Sequence, residues 1–401
     1  MNDEHLYALA LTRIPGLGLV TACNLFKTLG SASAVFQQRK DLPNLIPGVS
    51  DKLVKSLDCP EVFKRVEEEL LFAEKNQIQC LTYNDSNYPS RLRECEDAPL
   101  TLFYRGNANL NSLRIVSVVG TRHATSYGED LCISFIRDLA EYCPDILVVS
   151  GLAYGIDIYA HRASLQHHLS TVGVLAHGLD RIYPAAHRKT AISMMDNGGL
   201  LTEFMSGTNP DRQNFVKRNR IVAGMSDATI VVESAIKGGA LITAELSESY
   251  HRDCFAFPGR VNDPYSMGCN ELIKKNRAAL IQSAEDFVNA MGWNTSVVQS
   301  SKHNVQRELF PDLNVLYVPE EYVYDKKEYY HDYFRNTGKY DYVFGHGVIA
   351  EVMTNAVRHT STSTKKRKKA PVSWCFQAML LKKIILQSEM PDCGRYDNVN
   401  F

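Results

Sequence analysis

The chain of 401 residues corresponds to two or three domains at about 150 residues per domain. With 45% hydrophobic and 22% charged residues, its composition is that of an ordinary folded protein and argues against wholesale disorder. The 44 Lys and Arg residues nearly balance the 45 Asp and Glu residues, so any nucleic-acid binding must come from a local basic patch.

Neither secretion nor membrane insertion is indicated. No apolar run reaches the roughly 18 residues that cross a bilayer, and acids at Asp3 and Glu4 stand where a secretory signal carries bases. We therefore expect a cytoplasmic protein. The ten cysteines include no C-x-x-C pair, so we expect reduced and mostly buried thiols, with neither a disulfide scaffold nor a paired-cysteine zinc site.

The first eighty residues are predicted to form short helices, over 6–12, 20–29, 31–38, 51–57 and 61–76. Two similar turns interrupt them, Ile-Pro-Gly-Leu-Gly at 14–18 and Ile-Pro-Gly-Val-Ser at 46–50. Such turns can present backbone N–H groups to a phosphate at the start of the next helix. The pair resembles two helix-hairpin-helix motifs, which contact DNA without reading its sequence. A plain helix connector is the alternative for each copy.

Beyond a linking region that contains Pro89 and Pro99, strands alternate with helices. Strands are predicted over 113–119, 146–150, 171–176, 200–203, 229–233, 254–257 and 279–282. Helices are predicted between most of them, over 128–142, 157–168, 240–250 and 270–276. This alternation predicts an α/β fold with a mostly parallel sheet and helices on both faces. Ligands of such sheets bind outside the carboxyl ends of the strands.

Three turns of small residues follow predicted strands and should meet at one edge of the sheet. They contain Gly120 and Arg122, Ser150 and Gly151, and Gly238 and Gly239. Backbone N–H groups and helix N-termini at such turns can hold anions, which predicts a phosphate pocket. Because neither the Gly-x-Gly-x-x-Gly nor the Gly-x-x-x-x-Gly-Lys-Ser/Thr motif is present, we expect no nucleotide cofactor.

The segment 210–220 carries four basic residues and one acid around a single aromatic residue, Phe215. Single-stranded nucleic acid offers phosphates and unpaired base faces, and bases interleaved with a ring match both; stacking on one ring contributes about 1–3 kcal/mol. The alternative is that Phe215 anchors the core while the arginines pair with acids.

Residues from about 87 to 293 resemble the DNA-processing protein A (DprA/Smf) family of bacteria. The motifs that carry the resemblance are, in chain order, Tyr88-Pro89, Val119-Gly120-Thr121-Arg122 with Tyr127-Gly128, Ser150-Gly151-Leu152-Ala153-Tyr154-Gly155-Ile156-Asp157 with Ala160-His161, Gly178-Leu179-Asp180 with Tyr183-Pro184, Glu203-Phe204, Phe215 with Arg218-Asn219-Arg220-Ile221, Gly238-Gly239-Ala240-Leu241-Ile242-Thr243-Ala244, Phe257-Pro258-Gly259, and Gly268-Cys269-Asn270 with Leu272-Ile273. The resemblance implies an extended Rossmann-like domain over 81–295, preceded by a helix-hairpin-helix (SAM-like) domain over 1–80.

The resemblance also implies a function: a non-enzymatic homodimer that binds and protects single-stranded DNA and loads the RecA recombinase during natural transformation. By the family pattern, Arg122 contacts the DNA backbone, Arg212 is the basic residue three positions before the motif phenylalanine, and Phe215 stacks on a base. Lys217, Arg218 and Arg220 are further candidate contacts, although this arginine pair can instead brace the turn internally. No cofactor and no metal are implied.

Two other functions stay open. Glu203, Glu233, Asp157 and His161 follow the same strands, and related Rossmann-like proteins hydrolyse the N-glycosidic bond of nucleotides. Against this reading, the Pro-Gly-Gly-x-Gly-Thr turn of those hydrolases is absent. The third reading is a pure protein adaptor for the recombinase.

The carboxyl-terminal segment, 296–401, departs from the family pattern. After Glu308-Leu309-Phe310-Pro311 it does not resemble the winged-helix domain that many members carry. The five consecutive bases at 365–369 indicate a solvated, mobile segment or an accessory nucleic-acid tether. His346 lies between two glycines and is interpreted as polar surface rather than as a metal ligand.

Overall fold

Short helices form the amino-terminal part of the computed structural model, which describes residues 3–46 and 49–293. Their bounds are α1 Asp3–Leu11, α2 Leu19–Leu29, α3 Ala32–Gln37, α4 Leu42–Leu45, α5 Asp51–Ser56 and α6 Pro60–Lys75. Ser31 and Ser50 cap the next helices, because each hydroxyl accepts an N–H bond three residues on, and Gly30 ends α2 in the left-handed region. The predicted helices are all present, and the four-residue α4 is an addition.

Nine strands form one sheet in the described residues, in the order β1-β2-β6-β5-β4-β3-β7-β8-β9. Their bounds are β1 Gln79–Thr82, β2 Thr101–Gly106, β3 Ile115–Val119, β4 Leu147–Ser150, β5 Ser170–Val174, β6 Gly198–Thr202, β7 Ala228–Val231, β8 Asp253–Ala256 and β9 Ala279–Leu280. The strands from β3 to β9 pair in parallel, whereas β1 and β2 join the β6 edge antiparallel. The prediction of a mostly parallel sheet is confirmed. No strand was predicted in the linking region, but β2 lies there and pairs with β6 in the antiparallel direction.

Helices cover both faces of this sheet. They are α7 Ser90–Arg93, α8 Ser126–Tyr142, α9 Ile156–Gln166, α10 Arg188–Ser193, α11 Arg212–Gly224, α12 Gly239–Ser249, α13 Met267–Lys274 and α14 Ala284–Ala290. Strand β3 divides its side chains between two cores: Val116 and Val118 pack with α8, α9 and α14, and Ile115 and Val119 with α11, α12 and α13. This period of two on a doubly covered strand accounts for the continuous apolar run in the sequence.

The direction of the strand order reverses beside β3. From β3 the chain adds β4, β5 and β6 towards one edge, and it then returns to place β7, β8 and β9 on the other side. A crevice opens at the carboxyl ends of the two strands where such a reversal occurs, here β3 and β7. The turns that contain Gly120 and Gly238 follow these two strands.

The amino-terminal helices share a core with the sheet. Leu9 and Phe26 belong to the same buried cluster as Leu100, Phe103 and Met205. Polar contacts join the same parts: the Arg13 guanidinium donates to the Glu203 carbonyl at 3.1 Å, and that of Arg65 to the Ser206 carbonyl at 2.7 Å. The predicted boundary between residues 80 and 81 falls inside β1, and the division into these two domains stays a prediction.

Several sequence predictions lie outside the described residues. They concern Pro47 and Gly48 of the second Pro-Gly turn, His346, and the whole segment 296–401 with its basic run. Among the described helices, none is both long enough and apolar enough to cross a membrane.

Gly155 provides a test of how tightly the sheet edge is built. Its φ is +74°, and an added Cβ would lie 2.1 Å from the Thr121 carbonyl oxygen. We expect Gly155→Ala to lower the free energy of unfolding by about 2–4 kcal/mol, because it combines backbone strain with a clash against backbone. Urea denaturation measures this loss.

Gly30→Ala is the matched control. Gly30 also has a positive φ, +80°, but its Cβ would enter open space. Gly30→Ala should therefore lower the free energy of unfolding by only about 1 kcal/mol. Equal losses in the two variants would contradict the tight approach of the β3 turn to the start of α9.

Candidate nucleic-acid interface

The turn after β3 and the first half of α11 bring Arg122 and Phe215 together. The Arg122 guanidinium lies over the Phe215 ring, 4.8 Å from its centroid. Arg122 is exposed and Phe215 is half-buried, so the ring is not one of the fully buried core side chains. Phe215 is therefore not sealed in the core, which was the alternative interpretation of this residue. A cation over a partly exposed ring leaves both groups available at the same spot on the surface.

Two further basic residues stand on the exposed side of α11. Arg212 opens the helix and Lys217 lies five residues on, and both side chains are exposed. Within the described part of the chain, neither residue nor Arg122 forms an ion pair. These three exposed charges are therefore not held in ion pairs, and they create the local basic patch that the balanced overall composition requires of any polyanion site.

Arg218, by contrast, is buried beneath the turn after β4. Its Nη1 donates to the Val174 carbonyl at 2.6 Å, and an added Cβ on Gly151 would lie 1.8 Å from that same nitrogen. Burial lowers the pKa of Arg218 to about 10, and the charge of Asp157 opposes this shift. The guanidinium therefore stays protonated at neutral pH and fixes α11 to the sheet from below.

Arg220 is also turned inward. It donates to the Asp97 carbonyl at 2.5 Å and pairs with the Glu203 carboxylate. Ser150 is fully buried, and its hydroxyl donates to the Val118 carbonyl at 2.6 Å. All three of these predicted site residues, Arg218 included, are therefore bonded to the protein's own backbone. The structure places them under the candidate interface rather than on its surface.

The glycines of the three turns have different surroundings. A Cβ on Gly120 would lie 2.3 Å from the Ile156 side chain, so the glycine lets α9 approach β3. Gly238 is the N-cap of α12, and no side chain accepts from the first turn of that helix. Gly239 is exposed with open space around it. The start of α12 thus presents backbone N–H groups at the same sheet edge, where an anion can approach.

The candidate acid and base groups have internal partners. The Glu233 carboxylate accepts the Thr125 backbone N–H at 2.9 Å and the Thr125 hydroxyl at 2.7 Å, which holds the start of α8. Asp157 is buried, and this burial raises its pKa, although Arg218 opposes the rise. His161 is fully buried with its Nδ1 2.7 Å from the Thr171 hydroxyl. Glu233 and Asp157 therefore brace turns at the sheet edge, and His161 joins α9 to β5.

Exposed tyrosines beside the patch were missed as site residues by the sequence reasoning. Tyr183 is 46% exposed, and its ring centroid lies 6.1 Å from that of Phe215. Tyr154 is 50% exposed and packs edge-on against His187 at 4.8 Å. Both belong to motifs that the sequence matched, but a motif does not tell whether its ring is buried. No group of His, Cys, Asp and Glu residues in the described segments is placed to hold a metal ion.

His161 makes the stability of the fold depend on pH. Burial lowers its pKa from 6.5 to about 3, so the unfolded chain takes up a proton below pH 6.5 that the folded chain refuses. Stability contributed by the neutral imidazole is therefore lost as the pH falls from 6.5 towards 3. Between pH 6.5 and 5 we expect the wild type to lose about 2 kcal/mol more unfolding free energy than His161→Gln.

Urea denaturation at the two pH values measures this difference. The glutamine variant keeps a polar group near Thr171 and cannot titrate in this range. Identical pH dependence in the two proteins would show that the buried imidazole is protonated in the folded state.

Comparison with known proteins assigns the chain to a family. The family described as DNA recombination-mediator protein A matches residues 79–292, a segment that contains the whole described sheet and its carboxyl edge. The DNA processing protein DprA of Streptococcus pneumoniae is 36% identical over 228 residues, which cover 57% of this chain and 79% of that protein.

Two further relatives extend the comparison. A putative DNA processing protein DprA of Mycobacterium tuberculosis is 36% identical over 257 residues, or 61% of this chain and 65% of that protein, slightly less than two thirds of its length. The X-ray structure of DNA processing protein A from Streptococcus pneumoniae superimposes with a TM-score of 0.57 at 31% identity, covering 72% of this chain and 98% of that one. Since the family match spans 214 of the 401 residues, and sheet and motifs agree with it, the chain belongs to the DNA recombination-mediator protein A family, also called DprA or Smf.

Proposed function

We propose that this chain binds single-stranded DNA along the carboxyl edge of its sheet. The single observation that carries the proposal is the exposed Arg122 guanidinium over the half-buried Phe215 ring, 4.8 Å from the centroid. A base that stacks on this surface leaves its phosphate near Arg122. Duplex DNA keeps its bases paired and stacked, so the preference for single strands follows from the need for a free base face.

In this proposal the other predicted residues divide into two groups. Arg212 and Lys217 add charge along the backbone of the strand, and the exposed start of α12 at Gly239, just after the N-cap Gly238, receives a phosphate. The buried residues Ser150, Gly151, Arg218 and Arg220 hold these groups in position. A substitution of a buried arginine would therefore reduce stability as well as DNA binding, which separates it from a substitution on the surface.

We further propose that the chain acts by binding and not by catalysis. A general acid or base needs to reach the substrate proton. Here Glu233 is bonded to Thr125, Glu203 is paired with Arg220, and His161 is fully buried. These internal partners favour a bracing role for the groups that the hydrolase alternative would require.

The binding proposal predicts losses from two single substitutions. Arg122→Ala and Phe215→Ala should each weaken the binding of fluorescein-labelled (dT)20 by about ten-fold or more, because they remove the central charge and the stacking ring. Fluorescence anisotropy measures the affinity. The melting temperature of Arg122→Ala should not change, because this side chain is exposed, and that of Phe215→Ala should fall only slightly, because the ring is half-buried.

Salt dependence distinguishes the two losses. Contact with three or four phosphates gives a slope of log K against log salt of roughly −2 to −3 for a single strand. Arg122→Ala should reduce the magnitude of this slope by about 0.7, whereas Phe215→Ala should leave it unchanged. Arg137→Ala on α8, more than two helical turns from the sheet edge, is the control for loss of an exposed arginine. Wild-type affinity in both the Arg122 and Phe215 variants would reject the interface.

The biological role that we propose is recombination mediation: a homodimer of this chain protects incoming single strands and loads RecA recombinase on them, as in natural transformation of competent bacteria. The membership of the family described as DNA recombination-mediator protein A supports it. Two interfaces on one strand would raise the apparent affinity through effective concentration. In this proposal the Pro-Gly turns that resemble helix-hairpin-helix motifs add a contact that does not depend on the DNA sequence.

The loading proposal predicts that the wild type shortens the lag of RecA filament formation on single strands already covered by a single-stranded DNA-binding protein. The DNA-dependent ATPase activity of RecA reports the filament. With Phe215→Ala, at least about half of the lag that the wild type removes should return. Ten-fold weaker binding leaves less of this protein on the strand. Full stimulation by this variant would instead favour an adaptor that recruits RecA without using this interface.

A further inference from the structure

A loop beyond β8 presents a second aromatic and basic surface at the same sheet edge. This 258–266 loop is fixed on two sides. The Tyr127 hydroxyl donates to the Pro258 carbonyl at 3.1 Å, and Asn270 forms two hydrogen bonds of 3.1 Å with the backbone of Gly259. Just beyond the loop, the Gly268 N–H donates to the Ser234 carbonyl at 2.8 Å, which joins it to the turn after β7. The loop is therefore a built platform at the crevice.

The platform places a ring beside the residue that follows Arg122. The Tyr265 ring centroid lies 6.3 Å from that of His123, and the two planes are tilted by 39°. His123 is exposed and Tyr265 is half-buried. This pair repeats, on the β8 side of Arg122, the arrangement that Phe215 and Tyr183 form on the β5 side.

Exposed bases lie in this loop and in the turn after β7 to which it is joined. Arg260 and Lys237 are exposed and form no ion pair with any described residue. The one acid of the loop, Asp263, is directed at the loop itself, because its Oδ1 accepts the Tyr265 N–H at 3.0 Å. Val261, which follows Arg260 in the chain, is 82% exposed. Charge, a ring and apolar surface together match the phosphates and base faces of a single strand.

We infer that the 258–266 loop is a second subsite for the same DNA strand, in which Tyr265 stacks on a base and Arg260 contacts a phosphate. The inference rests on the proposed function. Phe215 contacts Arg122 and Tyr265 contacts His123, so the two ring pairs flank the turn after β3. A short oligonucleotide that stacks on one ring pair leaves no nucleotides for the other, whereas a longer one reaches both.

The length dependence of binding tests this subsite. Anisotropy titrations use the full chain with (dT)4 and (dT)20, the shorter one in competition against labelled (dT)20. Tyr265→Ala should weaken the binding of (dT)20 by about five-fold or more and change the affinity for (dT)4 by less than about two-fold. Tyr265→Phe keeps the ring and should bind as the wild type does. Arg260→Ala should reduce the magnitude of the salt slope for (dT)20 by about 0.7.

The outcomes separate the subsite from the interface on which it rests. Phe215→Ala should weaken oligonucleotides of both lengths. If Phe215→Ala weakens both while Tyr265→Ala and Arg260→Ala bind (dT)20 like the wild type, the subsite is overturned and the proposed function stands. If the wild type binds neither oligonucleotide, the proposed function and the subsite are overturned together. Because Arg260 is exposed, its variant keeps the test decisive even if Tyr265→Ala proves unstable.

Discussion

The reversal of strand order beside β3 is the constraint on which the rest of the structure depends. It leaves the carboxyl ends of β3 and β7 uncovered by a crossover connection, so the turns after them meet at one crevice. At this crevice, the backbone of one turn must approach its neighbours closely. Gly155 faces the Thr121 carbonyl, and Gly120 faces Ile156 and the Glu233 carbonyl, at distances that no side chain would permit. The tight edge in turn fixes the direction in which Arg122 leaves the β3 turn.

The arginines of this edge divide by burial into two roles. Arg218 and Arg220 satisfy carbonyl groups and a carboxylate inside the protein, where an unpaired charge would be costly. Arg122 and Arg212 remain exposed without an ion pair among the described residues. A buried arginine serves well as a brace because its guanidinium stays protonated even though burial lowers its pKa, as it does for Arg218 to about 10. The exposed pair is left to attract an anion.

A net charge of −1 is compatible with a polyanion site only if the basic residues are segregated. The described structure achieves this by pairing many surface bases with acids elsewhere, for example Arg277 with Glu245 and Glu248. The exposed bases Arg122, Arg212 and Lys217 at the sheet edge form no such pair with any described residue. In the proposed function, affinity is consequently modest for each interface and sensitive to salt, and it increases when one strand reaches a second ring pair or a second copy of the chain.

The sequence by itself determined the fold class and the position of the glycine turns. Apolar runs, Pro-Gly turns and small residues at strand ends are local signals, and with them the seven parallel strands and the amino-terminal helices were predicted. The antiparallel β1 and β2 were missed: β2 pairs with β6, which lies far along the chain, and β1 pairs with β2 at the edge of the sheet.

Only the tertiary structure decided which members of a basic segment face solvent. Arg212 and Arg218 lie on one helix, and the sequence gives no reason to expose one and bury the other, because that depends on where α11 rests on β5 and on the absence of a side chain at Gly151. The contact of Arg122 with Phe215 was likewise settled in three dimensions. Their turn and helix are distant in sequence, and only the strand order brings them to the same crevice.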